Sequence, residues 1–268
     1  MSQKKATDMS ENSPSASTSD GGVTKPSLVL VHGYFGGSPQ WADQREYFSN
    51  AFNVITPDLP GFGLNANLES PESIEGYARY VLDEISKQGV ESFYLLGHSM
   101  GGMIAQEMAR LAPQRIEKLV LYGTGPIGVM PGRFETIEAS RDRVRQDGVE
   151  ATARRISAKW FVGGETGQGY SNCAEVAVMA SEQATLAGLT AMESWSGVDA
   201  LANIHTPTLV LWGDQDKSYL WPQPKQLWQE ISGASLSVMA GCSHAAHLEK
   251  PALFNAILQD FLLHKLRG

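Results

Sequence analysis

Gly97-His98-Ser99-Met100-Gly101-Gly102 decides how this chain is read. It has the form G-x-S-x-G, a turn from strand into helix so sharp that its flanking residues have no room for a side chain. Such a turn lifts the serine hydroxyl clear of the sheet, and the next backbone N–H points at the same spot. Alone the motif is weak, because Gly and Ser are common; its surroundings make it specific. Ser92-Phe93-Tyr94-Leu95-Leu96 before it is a short apolar run, as expected of a buried parallel strand. After it, Ile104, Met108 and Leu111 fall at i, i+4 and i+7, one face of a helix that stops before Pro113. Ser99 is therefore a candidate nucleophile, against the alternative of a structural Gly-rich turn.

The chain has 268 residues, 42% hydrophobic and 19% charged, which suits one large α/β domain with a real core. A formal net charge of -8 argues against nucleic acid or an anionic membrane as the main partner, and leaves a small-molecule substrate open. Two cysteines, Cys173 and Cys242, are too few for a disulfide framework and fit a reducing, cytoplasmic setting. No apolar run is long enough to span a bilayer. Residues 1–24 are nearly all Ser, Thr, Asn, Asp, Gly and Lys, so a disordered polar tail is expected there. That stretch lacks the apolar core of a secretory signal.

Working outward, Leu28-Val29-Leu30-Val31 reads as a buried strand ending at His32-Gly33. Tyr34 to Pro39 is a turn-rich loop, followed by a helix through Trp41 and Phe48. Phe52 to Thr56 is a second strand, running into the loop Pro57-Asp58-Leu59-Pro60-Gly61-Phe62-Gly63. Ser70 and Pro71 predict an N-cap and a first-turn proline for a helix carrying Ile74, Tyr77, Ala78, Val81, Leu82 and Ile85. Lys118 to Tyr122 is the fourth strand. Strands alternating with helices imply right-handed crossovers and a parallel sheet covered on both faces.

That rhythm breaks after the fourth strand. The next convincing strand is Thr208 to Trp212, yet a crossover needs only about a dozen residues or slightly more. Residues 125–203 therefore read as a helical insertion, with helices expected over Phe134 to Gln146, Val149 to Phe161 and Cys173 to Leu189. At the carboxyl edge of a parallel sheet it would lie over the reactive serine as a cap, the alternative being an unrelated appendage. The core is then 25–124 and 204–268, closed by a helix near Gln223 to Ile231, a strand at Ser235–Met239 and a last helix through Leu253, Phe254, Leu258 and Leu262.

A serine hydroxyl needs a base to take its proton. Two later loops, each just after a strand, carry partners: Gly213-Asp214-Gln215-Asp216 and Gly241-Cys242-Ser243-His244. The chain order Ser, Asp, His is that of the α/β-hydrolases. With His32-Gly33-Tyr34, the Asp58 to Gly63 loop, the Ser99 turn, Gly213-x-x-Asp216 and His244-x-x-x-x-Glu249-x-Pro251, the chain resembles the capped α/β-hydrolases from near Leu28 to its end. The fold so implied is α/β, a mostly parallel sheet with helices on both faces and a helical cap between the fourth and fifth strands.

The resemblance makes Asp216 the acid, with Asp214 as competitor, and His244 the base, with His247 as rival. Ser243 stands where the family carries Gly. It also implies an oxyanion hole from the backbone N–H groups of Met100 and Tyr34, with Phe35 as a substitute for Tyr34. His32 is expected to brace its loop, His98 to be non-catalytic and Cys242 to be a buried structural thiol. Serine at position 99 disfavours dehalogenase and epoxide hydrolase chemistry, whose family members use Asp there. No metal-ligand spacing, phosphate loop or dinucleotide fingerprint is present, so no cofactor is expected.

The family opens with two antiparallel strands that this chain lacks the apolar residues to form, so a sheet of about six strands is expected. Its bare edge makes a homodimer an alternative to a monomer. The Arg133–Trp160 region resembles the caps of 3-oxoadipate enol-lactonases and carboxylesterases. Its Arg133, Arg141, Arg143, Arg145, Arg154, Arg155 and Lys159 would bind a carboxylate if any reached the pocket, and otherwise form a solvated face. Phe35, Trp160, Phe161 and Trp195, with Tyr34, are candidate pocket walls. The leading expectation is a serine hydrolase of a small carboxylic ester or lactone. Alternatives are hydrolysis of a carbon–carbon bond as in the meta-cleavage hydrolases, amide hydrolysis, perhydrolase side activity, or a non-catalytic ligand-binding receptor.

Overall fold

The computed structural model describes residues 25–129, 131–132 and 135–263; the expected tail at 1–24 and Arg133 lie outside them. Six strands form one sheet: β1 (Ser27–Val31), β2 (Asn53–Ile55), β3 (Phe93–His98), β4 (Ile116–Tyr122), β5 (Thr208–Gly213) and β6 (Ser235–Met239). Their order is β2-β1-β3-β4-β5-β6, and every pair is parallel.

Burial explains why β1 has no polar alternation. Val29 and Val31 enter one apolar layer with Ile85, Ile104 and Met108. Leu28 and Leu30 enter the opposite layer with Trp41, Phe48, Leu258 and Phe261. A strand covered on both faces must be apolar throughout. The covering helices are α1 (Ala42–Phe48), α2 (Ile74–Lys87) and α3 (Met100–Leu111), followed along the chain by α4 (Ile137–Ala158), α5 (Tyr170–Ala177), α6 (Glu182–Glu193), α7 (Pro222–Glu230), α8 (Ala246–Glu249) and α9 (Pro251–Leu263).

Two expectations about helix limits need correction. The N-cap of α2 is Ser73, whose hydroxyl accepts from the Gly76 amide at 3.1 Å, a contact worth about 1 kcal/mol. Ser70 is recruited elsewhere: its hydroxyl donates to the Pro60 carbonyl and its amide to the Gln183 side chain. The helix expected over Cys173 to Leu189 is two, α5 and α6. The break falls at Val178–Ser181, where the Ser181 hydroxyl caps the Ala184 amide. Gly148, with φ 79°, likewise kinks α4 between the two stretches expected to be helical.

Helices α4 to α6 leave the sheet after β4 and return before β5, and α4 packs on both α5 and α6. An antiparallel bridge between Ile127 and Ser196 ties the two ends of this segment together. Contacts that hold it against the core include Tyr34 hydroxyl to the Thr185 carbonyl (3.0 Å), Ala245 amide to the Trp160 carbonyl (2.9 Å) and Val162 amide to the Glu249 carboxylate (2.7 Å). Among the described residues no helix is long and apolar enough to cross a membrane.

Candidate active site

Strand order reverses direction between β1 and β3, and the loops leaving the carboxyl ends of those strands meet there, the usual ligand position in an open α/β sheet. Ser99 leaves β3 with φ 57° and ψ -123°, a backbone conformation that costs a non-glycine residue of order 1–3 kcal/mol. Its neighbours allow it. A Cβ on Gly97 would strike the Gly101 backbone, one on Gly101 the carbonyls of Val31 and His32, and one on Gly102 the Thr124 side chain. Two hydrogen bonds fix the turn, Ser99 amide to Tyr122 carbonyl (3.0 Å) and Thr124 hydroxyl to Ser99 carbonyl (2.8 Å).

The β1 loop passes directly over this serine. A Cβ on Gly33 would lie 2.7 Å from Ser99 Cβ and 3.2 Å from Ser99 Oγ. The loop turns through a Gly36 amide to Gly33 carbonyl bond (2.9 Å), with Phe35 at φ 58°. His32 braces it from below: Nδ1–H donates to the Gly33 carbonyl (2.8 Å), and Nε2 accepts from the Leu59 amide (3.0 Å). Burial lowers the His32 pKa, which keeps the neutral ring that both bonds require. On the other side Met100 is the first residue of α3, so its amide is among those a helix leaves without an intrahelical partner.

Beyond β5, Asp216 is buried, and its Oδ1 accepts from the amides of Ser218 (2.7 Å) and Tyr219 (3.1 Å). Its Oδ2 lies 2.9 Å from Nδ1 of His244, which is also buried. Asp214 faces away and accepts from the Gly241 amide. The His244 ring is held by Tyr219 (5.5 Å, interplanar 14°), His98 (4.5 Å) and Trp160 (5.8 Å). His247 has a different partner, the Tyr122 hydroxyl, 3.1 Å from its Nδ1. Ser243 uses the departure from glycine: its hydroxyl donates to the Gln215 carbonyl and its amide to Glu249, joining the two loops.

Ser99 and His244 line one enclosed cavity with Gly33, Tyr34, Gln40, Trp160, Cys173 and His247. Its free volume is about 10 Å³, about that of one water molecule. Among the described residues Ser99 Oγ has no hydrogen-bond partner, so the His244–Asp216 bond is closed and the Ser99–His244 bond is not. No group of three or more His, Cys, Asp or Glu side chains among the described residues is arranged to hold a metal ion.

The predicted walls divide. Trp160 lines the cavity. Phe35 and Phe161 do not: Phe35 is buried against Tyr34 (4.4 Å), and Phe161 against Tyr170 (6.0 Å). Trp195 is a correction. It lines a separate surface cleft of about 610 Å³ with Glu107, Arg110 and Asp199. The Ile127–Ser196 bridge and the Gly197 amide to Pro126 carbonyl bond pin it to the exit of β4, away from Ser99. Gln40 and Cys173 were not singled out as wall residues. Gln40 lies within a short 3-10 helix, Ser38–Trp41, whose facing no periodicity reports, and Cys173 reads equally as helix core.

Similarity to known proteins follows the same outline. A family model described as the alpha/beta hydrolase fold matches residues 26–251. A 2-hydroxy-6-oxononadienedioate/2-hydroxy-6-oxononatrienedioate hydrolase of Pseudomonas putida is 29% identical, over 91% of this chain and 90% of its own. A pimeloyl-[acyl-carrier protein] methyl ester esterase of Aromatoleum aromaticum is 28% identical, over 89% and 98%. The crystal structure of the enol-lactonase from Burkholderia xenovorans LB400 superposes with a TM-score of 0.83 at 23% identity, covering 90% of this chain and 92% of that one. With the family model spanning most of its length, the chain belongs to the α/β-hydrolase family.

Proposed function

We propose that the protein is a serine hydrolase that cleaves a small carboxylic ester or lactone through an acyl-enzyme, with residues 125–203 acting as its cap. The observation that carries this reading is the buried His244–Asp216 bond of 2.9 Å on the cavity that also contains the strained Ser99. Asp216 fixes Nδ1 as the N–H end of His244, leaving Nε2 with the lone pair that accepts a proton. Ser99 Oγ attacks the ester carbonyl carbon as its proton passes to His244 Nε2, and the carbonyl π pair moves to oxygen. The Met100 and Tyr34 amides stabilise that oxyanion. Collapse expels the alkoxide, which takes the proton from His244. Water, deprotonated by His244, then attacks the acyl carbon, and Ser99 leaves reprotonated.

The gap between Ser99 and His244 is compatible with this sequence, since such bonds are often loose before substrate arrives. The test is hydrolysis of p-nitrophenyl esters of increasing chain length and a lactone panel, wild type beside Ser99→Ala. Turnover in wild type and its loss in the variant are expected; equal rates would overturn the proposal. Carbon–carbon hydrolysis of a vinylogous diketone is the second reading, favoured by the 29% identical relative. A dienedioate would bring carboxylates, and every side chain lining the Ser99 cavity is of a type without fixed charge, which supports the ester or lactone reading.

A further inference from the structure

Several side chains that line the Ser99 cavity carry polar atoms that the acyl transfer above leaves unused, among them Tyr34, whose hydroxyl bonds the Thr185 carbonyl, His98, whose Nε2 bonds the His244 carbonyl, and Gln40, Cys173 and His247. Gln40 and Cys173 satisfy each other. The Gln40 amide donates to Cys173 Sγ at 3.1 Å, and burial pushes that thiol up to about 12, so it stays protonated.

His247 is different. Its side chain is 1% exposed. Tyr122 fixes its tautomer. The Tyr122 hydroxyl lies 2.8 Å from the His244 carbonyl oxygen, and two oxygens that close share a proton, which only the hydroxyl has. That single proton is therefore committed. The 3.1 Å contact between the same hydroxyl and His247 Nδ1 must run the other way, with Nδ1–H donating. Nε2 carries the lone pair. This Nε2 is buried and has no hydrogen-bond partner. Burial pulls the His247 pKa down to about 3, so near neutral pH the atom is an acceptor only. An unpaired buried acceptor costs about 1–3 kcal/mol, and the site recovers that only when a donor arrives.

The surrounding charges say which donor. Among the described residues the cap arginines are engaged outside the cavity: Arg141 with Glu193, Arg143 with Glu135 and Asp147, Arg145 with Asp142, Arg154 with Glu150 and Glu175, and Arg155 with Glu135. A carboxylate beside a lone pair in an uncharged cavity would be buried without a partner. A hydroxyl would complete the missing bond.

We propose that His247 Nε2 is a specificity contact of this site, accepting a hydrogen bond from a hydroxyl on an uncharged acyl group, so that esters or lactones of short hydroxy acids are the favoured substrates. The inference rests on acyl transfer at Ser99. A site built to bond a substrate hydroxyl discriminates against the analogue that lacks it, because its own polar group is then left unpaired.

The experiment compares ethyl butyrate, ethyl 2-hydroxybutyrate, ethyl 3-hydroxybutyrate and monoethyl succinate by acid release, in wild type, His247→Gln and His247→Phe. Labelling of Ser99 by a fluorophosphonate, read by intact mass, reports the nucleophile independently. One hydroxybutyrate should exceed butyrate in kcat/KM by about 10- to 100-fold in wild type, with succinate slowest. His247→Phe should abolish the ratio, and His247→Gln, which retains an acceptor, should keep part of it; all three should be labelled. Equal use of butyrate and both hydroxybutyrates by a labelled wild type would overturn the proposal. So would a His247→Phe variant that slows every ester by one factor with the ratio intact, the signature of a purely structural histidine. If His247→Phe does not fold, the wild-type ratio and His247→Gln still decide. No labelling and no turnover would overturn the acyl-transfer reading itself, and this one with it.

Discussion

The loops at the carboxyl edge of the sheet and the helices inserted after β4 use polar residues in opposite ways. At that edge the polar side chains that build the site are buried and held by specific partners: Asp216 by two amides and His244, His32 by Gly33 and Leu59, Tyr122 by His244 and His247. In the inserted helices most charges are paired across solvent-exposed faces. A buried polar group is expensive to leave unpaired, whereas an exposed ion pair is worth about 0–1 kcal/mol. The first region therefore tolerates few exchanges and the second tolerates many.

The sharpest attempt to break that contrast is Ser99→Ala. Removing the attacking atom should cut kcat by as much as about a million-fold while leaving the fold intact, because Ala fits the space. Steady-state ester hydrolysis with thermal unfolding alongside checks both halves. Asp216→Asn comes next. It is nearly isosteric, but its amide can turn N–H toward His244 and select the wrong tautomer, an effect of about ten-thousand-fold in kcat. A loss under about tenfold would mean that Asp216 does not orient His244 in catalysis.

A stability measurement sharpens the same contrast. His247 has an unfolded pKa near 6.5 and a folded value of about 3. Between these values the unfolded chain binds a proton that the folded chain cannot, so stability falls as pH falls. From pH 7.5 to 5.5 this one residue should cost about 1.4 kcal/mol. Urea unfolding at both pH values should show the loss in wild type, and His247→Gln should lose less by about that amount. Equal losses in the two proteins would mean that His247 titrates freely in the fold.

The same division explains what could be read from the sequence. Six strands, their parallel order of use and the spacing of Ser99, Asp216 and His244 follow from apolar runs ending in Gly-bearing loops, since a doubly covered sheet permits little else. The choice between Asp216 and Asp214 did not follow from the residues, and needed either family resemblance or the observed bond to His244. The start of α2 is not decided locally, because Ser70 and Ser73 are equal as local caps and the difference is a tertiary contact to Pro60. The place of Trp195 is undecided locally for a like reason. Its position depends on the Ile127–Ser196 bridge, made by residues about seventy apart in sequence. Local pattern carries no information about either.

The smallest expected effect lies on the surface of the inserted helices, with Arg154→Ala. Arg154 contacts Glu150 and Glu175, all three well exposed, with side-chain exposures of 39%, 71% and 65%. Arg155 differs: it grips Glu135 with two parallel bonds of 3.0 and 3.1 Å, and Glu135 is only 11% exposed. Two-pronged geometry and a largely desolvated carboxylate place Arg155 nearer the loop regime. Arg154→Ala should therefore change unfolding stability by less than about 0.5 kcal/mol. Arg155→Ala should cost about 1–3 kcal/mol, since Glu135 then loses its two bonds to Arg155 and keeps the Ser140 hydroxyl and the more distant Arg143. Neither should alter the relative rates of charged and uncharged esters, because neither guanidinium lines the Ser99 cavity. Urea midpoints of the two variants measure the first claim. A rate ratio between ethyl butyrate and monoethyl succinate that shifts in Arg155→Ala would show that this cation acts on the substrate after all, and would move it from the surface of the inserted helices to the wall of the site.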